Sequence, residues 1–450
     1  MIEFPPGLLL IIGAILVPLL PQVVRNAYML ALPIVGFWGL LIIPEGVHFA
    51  FDIFGYTLSP VRVDGLSLIF GYIFHIAAAI SIIFAFHIKD TVQQMSGLIY
   101  AGAAIGGAFA GDLITLFIYW EATAIASVFL IWSSRTEAAY RTGMRYLIIQ
   151  VGSGVLLLAG AIIHYKETGS LDFTKMGLTG LGPVLIFIAF GIKAAFPLLH
   201  NWLQDAYPEA TVTGTVFLSA FTTKLAIYAL ARGFPGTEML IWIGATMTAF
   251  PIFYAVIEND LRRVLAYSLN NQLGFMVVGV GIGTELALNG TAAHAFSHIL
   301  YKALLFMSMG AVLYRTGTIK GSELGGLYRS MPWTTAFCCI GAASISAFPL
   351  FSGFVSKSLI VSAAGDGHYV ITWFILLFAS AGVFHHSGIK IPYFAFFAHD
   401  SGIRCKEAPL NMLIAMGITA TLCIAIGVFP SYLYSILPYA VDYQPYTTSH

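Results

Sequence analysis

The sequence predicts an all-α polytopic membrane protein of about 14 transmembrane helices, built on two inverted five-helix repeats with discontinuous helices 7 and 12. Three observations lead there. Of the 450 residues, 58% are hydrophobic and only 9% charged, against roughly 25% charged in a soluble globular protein. The apolar residues fall into runs of about 20, the length a helix needs to cross a bilayer. Two of those runs are interrupted by a proline close to a lysine, at Pro197 and Pro349, where a membrane helix must lose backbone hydrogen bonds.

The composition also excludes several function classes. The 21 basic and 21 acidic residues cancel, which leaves no basic surface for nucleic acid and no acidic tail for a cationic partner. The four cysteines, Cys338, Cys339, Cys405 and Cys423, show no CxxC spacing, so no disulfide or metal role is expected. Without a nucleotide loop or a haem ligand pair, no cofactor is implied.

Taken in order, spans 1 to 3 cover 6–20, 27–43 and 66–87 within an N-terminal segment 1–94. The first run has Glu3 and no basic residue ahead of it and no small-residue cleavage site after it, so it is expected to be a membrane anchor and not a signal peptide. Spans 4 to 8 (95–111, 112–132, 143–163, 181–204 and 210–232) make a first repeat over 95–232. Spans 9 to 13 (238–258, 264–284, 288–314, 333–362 and 369–398) make a second over 238–400. Span 14 (408–430) opens the final segment, 408–450. Five is odd, so the second repeat must thread the membrane in the opposite sense to the first.

The basic residues orient this array. Loops after odd-numbered spans hold Arg25, Lys89, the group Arg135, Arg141 and Arg145, the pair Arg262 and Arg263, the group Arg315, Lys320 and Arg329, and the pair Arg404 and Lys406; loops after even-numbered spans hold only Arg62, Lys166, Lys175 and Arg232. By the positive-inside rule the odd-numbered exits are cytoplasmic and both termini lie on the external side of the cell's inner (plasma) membrane.

The remaining basic residues, Lys193, Lys224, Lys302, Lys357 and Lys390, lie in or at the edge of apolar spans, as does Glu121. A charge at the bilayer centre costs about 2.5 to 3.5 kcal/mol on insertion scales, so such groups are expected to pair, to neutralise or to line water, and to be functional. Lys390, late in its span, either joins a pathway or snorkels to the headgroups. In the repeat, broken span 7 with Lys193 is matched to broken span 12 with Lys357, and span 8 with Lys224 to span 13 with Lys390. His294, His298 and Lys302 recur at spacings of four and so share one helix face. A zinc site would want a third ligand that is not there, and mutually satisfied structural histidines are an alternative. A proton-transfer column is the preferred reading, because histidine titrates near neutral pH.

Several segments together resemble the antiporter-like subunits shared by respiratory complex I, membrane-bound hydrogenases and the Mrp cation/proton antiporters. They are VDGLSLIF (63–70), the YWE of span 5, GIKAAFPLLHNWLQDAYPEATVTG (191–214), TTKLAIYAL (222–230), NDLRRVLAYSLNNQLGF (259–275), HAFSHILYKALLF (294–306), GGLYRSMP (325–332) and FPLFSGFVSK (348–357). The resemblance covers roughly 60–430 and implies a 14-helix core with inverted repeats and broken helices 7 and 12. It implies that Glu121 and Lys193 pair, and that Lys224, Lys302 and Lys357 fill the family's other membrane positions. The family's serine-rich stretch after AYS is replaced here by Leu269-Asn270-Asn271-Gln272. The chain ends 20 residues after Pro430, unlike the largest complex I subunit of this type, and the wording of 205–230 is similar to the D-type antiporter subunits.

On this basis the expected function is that of a proton-translocating subunit of a multisubunit sodium (or other monovalent cation)/proton antiporter. A switchable Glu121–Lys193 pair passes protons by Lys224 and His294/His298 to Lys302 and Lys357. The expected partners are other membrane subunits. The alternatives are a pumping subunit of a quinone reductase or hydrogenase-type complex, and an energy-coupling subunit of another ion-driven uptake system; none of these makes the chain itself an enzyme.

Overall fold

A computed structural model describes residues 4–447. Among them, helical segments follow one another in the order the apolar runs require. The first is α1 (Leu8–Leu16), extended by a 3-10 turn to Leu19; then come α2 (Gln22–Ile42), α3 (Gly65–Phe84), α4 (Thr91–Phe109), α5 (Leu113–Trp132) and α6 (Glu137–Thr168). Helix α7 has two halves, Leu181–Lys193 and Asn201–Glu209, and α8 runs from Val212 to Ala220 and from Thr222 to Gly233. There follow α9 (Met239–Ile257), α10 (Leu261–Ile282), α11 (Glu285–Thr316), the halves of α12 (Pro332–Ile345 and Ser352–Asp366), α13 (Val370–Phe397) and α14 (Leu410–Val428). Nine of the described helices are individually long and apolar enough to span a membrane. The others are the short α1, the two broken helices, and α4 and α10, which carry more glycine and amide side chains.

Capping fixes where many of these helices start. The carboxylates of Asp90, Asp112 and Asp260 and the hydroxyls of Thr136 and Thr284 accept amide hydrogens in the first turns of α4, α5, α10, α6 and α11. Each satisfies donors that the helix itself leaves unpaired. Helices α6 and α11 end on Gly169 and Gly317 at φ 73 and φ 77, the left-handed closure that glycine adopts without strain.

One region departs from the all-α expectation. Residues 46–63 fold into two short antiparallel ladders, Gly46–His48 with Val61–Val63 and Phe51–Ile53 with Tyr56–Leu58. Phe54 and Gly55 turn the inner hairpin with φ 51 and φ 83, the two positive values that a two-residue type I′ turn needs.

The chain packs as two compact units. Among the described residues the first comprises 4–82, Ile88–Trp202 and Glu209–Thr237; the second comprises Ile83–His87, Leu203–Pro208 and 238–447. The first unit is filled by aromatic side chains, with Phe70, Phe74, Tyr100, Trp120, Tyr146 and Tyr228 fully buried. In the second unit α9 and α10 approach through glycine: a Cβ on Gly244 would lie 2.7 Å from the Gly274 carbonyl oxygen, and one on Gly274 would lie 2.6 Å from that of Gly244. Such small-residue contacts are how helices pack closely where lipid removes the hydrophobic driving force. Outward-facing Trp38, Ile118, Ile148, Trp242 and Phe374 are all more than half exposed, as lipid contact requires.

Candidate functional site

The break in α7 comes from four residues, Ala195-Phe196-Pro197-Leu198, with Ala195 at φ 61 and Leu198 at φ 69. Proline removes one helical donor, and the two left-handed residues turn the chain out of the helix. Phe196 N–H donates to the Gly191 carbonyl at 2.9 Å and Leu199 N–H to that of Phe196 at 2.9 Å. The indole N–H of Trp202 donates to the Ile192 carbonyl at 3.0 Å. Lys193 closes the first half and is fully buried. Its ammonium donates to the Trp120 carbonyl and to Thr123 Oγ1 at 2.9 Å, both on α5, and lies 4.6 Å from the centre of the Trp120 ring.

Glu121 is the next residue along α5 but turns toward α6. It is half-buried, with Oε1 enclosed and without a hydrogen-bond partner among the described residues. Its carboxylate lies against Gly154, where a Cβ would collide with it. The expected Glu121–Lys193 ion pair is therefore not made in this conformation. Lys193 is held by a carbonyl and a hydroxyl, while the carboxylate is held off against α6. Sequence reasoning also missed two residues of α6. Ser153 accepts from the Trp120 indole at 2.9 Å and donates to the Ala189 carbonyl at 2.7 Å. Gln150 is fully buried, with both side-chain polar atoms unpartnered among the described residues. The signal was present as two polar residues, three apart, in an otherwise apolar run.

Lys224 opens the second half of α8, just past the interruption at Phe221. It is fully buried and donates to the Ser219 carbonyl at 2.5 Å. Tyr100 of α4 caps that interruption, its hydroxyl accepting the Thr222 amide hydrogen at 3.0 Å. One turn on from Lys224 stands Tyr228, and one turn beyond it Arg232, which donates to the Tyr228 hydroxyl at 2.7 Å and grips Asp64 through two bonds of 2.8 and 2.7 Å.

The second unit holds the other predicted residues. The α12 break is Ala347-Phe348-Pro349-Leu350, the same tetrapeptide, with Ala347 at φ 56 and Leu350 at φ 70. Phe348 N–H donates to Ala343 at 3.0 Å and Phe351 N–H to Phe348 at 3.2 Å, matching the α7 break bond for bond. In that register Lys193 falls opposite Ile345, not opposite Lys357. The broken helices correspond, but the lysine matching does not: Lys357 lies in the second half of its helix and reaches back to donate to the Ile345 carbonyl at 2.8 Å, 5.1 Å from the Phe275 ring centre. Tyr446 closes this break from outside, its hydroxyl accepting the Leu350 amide hydrogen at 3.2 Å and donating to the Gly427 carbonyl, with its ring stacked on Phe354 at 5.3 Å.

His294, His298 and Lys302 are all fully buried along α11. His294 Nδ1 is 2.9 Å from Ser356 Oγ, and its Nε2 is 3.5 Å from the Tyr301 hydroxyl. Tyr301 donates to Gln272 Oε1 at 3.0 Å, Gln272 Nε2 donates to Asn271 Oδ1 at 2.6 Å, and Asn271 donates to the Thr248 carbonyl. The amides standing where the family has serines thus extend the histidine's polar line into α10. Lys390 differs from Lys224, its expected counterpart. It is half-buried, and its ammonium sits on the carbonyls of Ala255, Val256 and Glu258 at 3.0, 2.7 and 2.5 Å, capping the C-terminal end of α9. No three His, Cys, Asp or Glu side chains converge in a metal-binding group among the described residues.

Residues 110–384 match the family described as the NADH:quinone oxidoreductase/Mrp antiporter transmembrane family. The chain is 31% identical over 360 residues to the D-type subunit of the Na(+)/H(+) antiporter of Alkalihalophilus pseudofirmus, covering 74% of this chain and 72% of that one. It is 27% identical over 362 residues to hydrogenase-4 component B of Escherichia coli, covering 70% of this chain but 53% of that longer one. A chain in the Mrp complex structure from Dietzia sp. DQ12-45-1b superposes with a TM-score of 0.84 at 20% identity, covering 96% of this chain and 95% of that one.

Proposed function

The chain belongs to the NADH:quinone oxidoreductase/Mrp antiporter transmembrane family, and from that premise we propose that it is the proton-translocating subunit of a multisubunit monovalent cation/proton antiporter. Sodium is the exchanged cation by likeness to the antiporter subunits. The partners are other membrane subunits. The protein sits in the inner (plasma) membrane with both termini external, the orientation that the bias of basic residues favours.

One observation carries this reading: a fully buried lysine ends a broken helix on a backbone carbonyl and a hydroxyl, with a glutamate carboxylate one residue from its anchor and unpaired with it. A buried charge without a countercharge is expensive, and a nearby carboxylate relieves that cost. Moving Glu121 off Gly154 toward Lys193 holds a proton on the lysine; moving it back favours passing the proton on. The first unit supplies Glu121, Lys193 and Lys224 to the path. The second supplies His294, His298, Lys302 and Lys357, with hydroxyls and amides between them. Lys390 sits at the rim as a helix cap.

The test is exchange by the purified complex in proteoliposomes. Lys193→Ala and Glu121→Ala are each expected to abolish proton-coupled cation exchange while the complex still assembles; normal exchange in either sinks the proposal. The likeness to a hydrogenase component supports a second reading, a pumping subunit of a redox complex. Flavin or iron–sulfur proteins co-purifying in fixed ratio would decide for it.

A further inference from the structure

Helix α13 is wound as a π-helix from Phe384 to Ile389, a form that is rare and frequently marks functional sites. The wider winding buries His386 and Ser387 completely. His386 Nδ1 is 2.9 Å from Ser387 Oγ, and Ser387 donates to Ser268 Oγ of α10 at 2.9 Å. The other ring nitrogen, Nε2, is enclosed without a hydrogen-bond partner among the described residues, although buried side-chain polar atoms are nearly always satisfied. His385, beside it, lines an open cavity of about 450 Å³ together with Glu258, Lys390 and Tyr393. Gly388 brings the same π turn against the α12 break, since a Cβ there would collide with Ser346 Oγ. Ser346 follows Ile345, whose carbonyl holds Lys357. The charges acting on His386 are Lys302 of α11, Lys357 of α12, Lys390 of its own helix and its neighbour His385.

We propose that His386 relays protons between the cavity at Glu258 and Lys390 and the buried lysines of the same unit, with Ser387 and Ser268 holding its ring. The inference rests on the antiport reading and adds a residue of α13 to the path. The step needs no co-reactant. A proton taken up at one ring nitrogen is balanced by one released at the other, leaving the opposite tautomer, and rotation of the ring resets it.

The experiment uses the assembled complex in proteoliposomes. His386→Gln keeps a group able to bond Ser387 but cannot pass a proton from one ring nitrogen to the other, and it is expected to slow exchange at least about tenfold. A wild-type rate in His386→Gln overturns the proposal. Should that variant not assemble, Ser387→Ala combined with Ser268→Ala removes only the hydroxyls that hold the ring; exchange at the wild-type rate there overturns it equally, and a loss of roughly threefold or more supports it. Lys193→Ala runs alongside. If it abolishes exchange while His386→Gln leaves exchange intact, the relay fails and the antiport reading stands; if Lys193→Ala is itself active, the antiport reading falls first.

Discussion

The breaks in α7 and α12 use the same four residues, Ala-Phe-Pro-Leu, with positive φ at the same two of them and the same local hydrogen bonds, yet they carry their lysines on opposite sides. Lys193 precedes its break and reaches sideways to another helix; Lys357 follows its break and reaches back across it to Ile345. What is repeated is therefore the backbone device, not the ionisable residue. A broken helix offers carbonyls and room at membrane depth, and a lysine on either half can use them.

The largest test of that equivalence is Lys357→Met. If both breaks serve one transport function, it costs about 100-fold in exchange, at the lower end of what positioned proton-transfer groups contribute, and a proteoliposome assay that finds the wild-type rate breaks the comparison. Next comes Gly154→Ala. The added methyl group occupies the place of the Glu121 carboxylate and is expected to slow exchange roughly tenfold, less than the loss of a proton-transfer group because the carboxylate is displaced and not removed, while the complex assembles normally; an unchanged rate would show that the carboxylate's resting position does not matter. A third test separates the breaks by stability. Gly353 lies against the Ser344 carbonyl, so Gly353→Ala has backbone to push and should destabilise by about 1–3 kcal/mol. The register-equivalent Asn201 already carries a Cβ and is exposed, so Asn201→Ala should change stability by no more than about 0.5 kcal/mol. Thermal unfolding of the two variants in detergent reads the difference directly. The smallest effect belongs to Lys390→Ala. A lysine capping a helix C-terminus contributes about 0.3–1 kcal/mol, and its loss should leave exchange within about threefold, far from the loss expected of Lys224→Ala, a fully buried group. Equal losses in the two would restore the Lys224–Lys390 correspondence that the structure separates.

The spans and both breaks were legible in the sequence because hydrophobic length and proline act locally. The register between the two breaks was also written there, as the repeated Ala-Phe-Pro-Leu, but matching lysine to lysine hid it. The two short ladders escaped because the stretch 46–63 is short and sits between apolar runs. The π-winding of α13 and the direction of Glu121 were not legible. Both depend on which neighbour approaches: Ser346 against Gly388, and Gly154 against the carboxylate. Gln150, Ser153 and Tyr301 could have been flagged as polar residues in apolar runs, and Gln272 stood out only as part of the stretch that replaces the family's serines; tertiary contact alone shows that Ser153, Tyr301 and Gln272 join the buried networks.

The Tyr446 clamp has a consequence for the order in which the protein is made. Chains are synthesised from the N-terminus and their earlier parts fold first. The Leu350 amide at the α12 break finds its partner 96 residues downstream, in Tyr446. Both corners are tied early by the same local backbone bonds, but the Leu350 amide of the α12 corner gains its partner only once the stretch around Tyr446 has left the ribosome and crossed to its place. The added tie of the α7 corner, Trp202 to Ile192, is made within a dozen residues of it. Biogenesis should accordingly complete the two corners at different times: chains stopped just before Tyr446 would insert their early helices normally and be more protease-sensitive at residues 347–351 than the full chain.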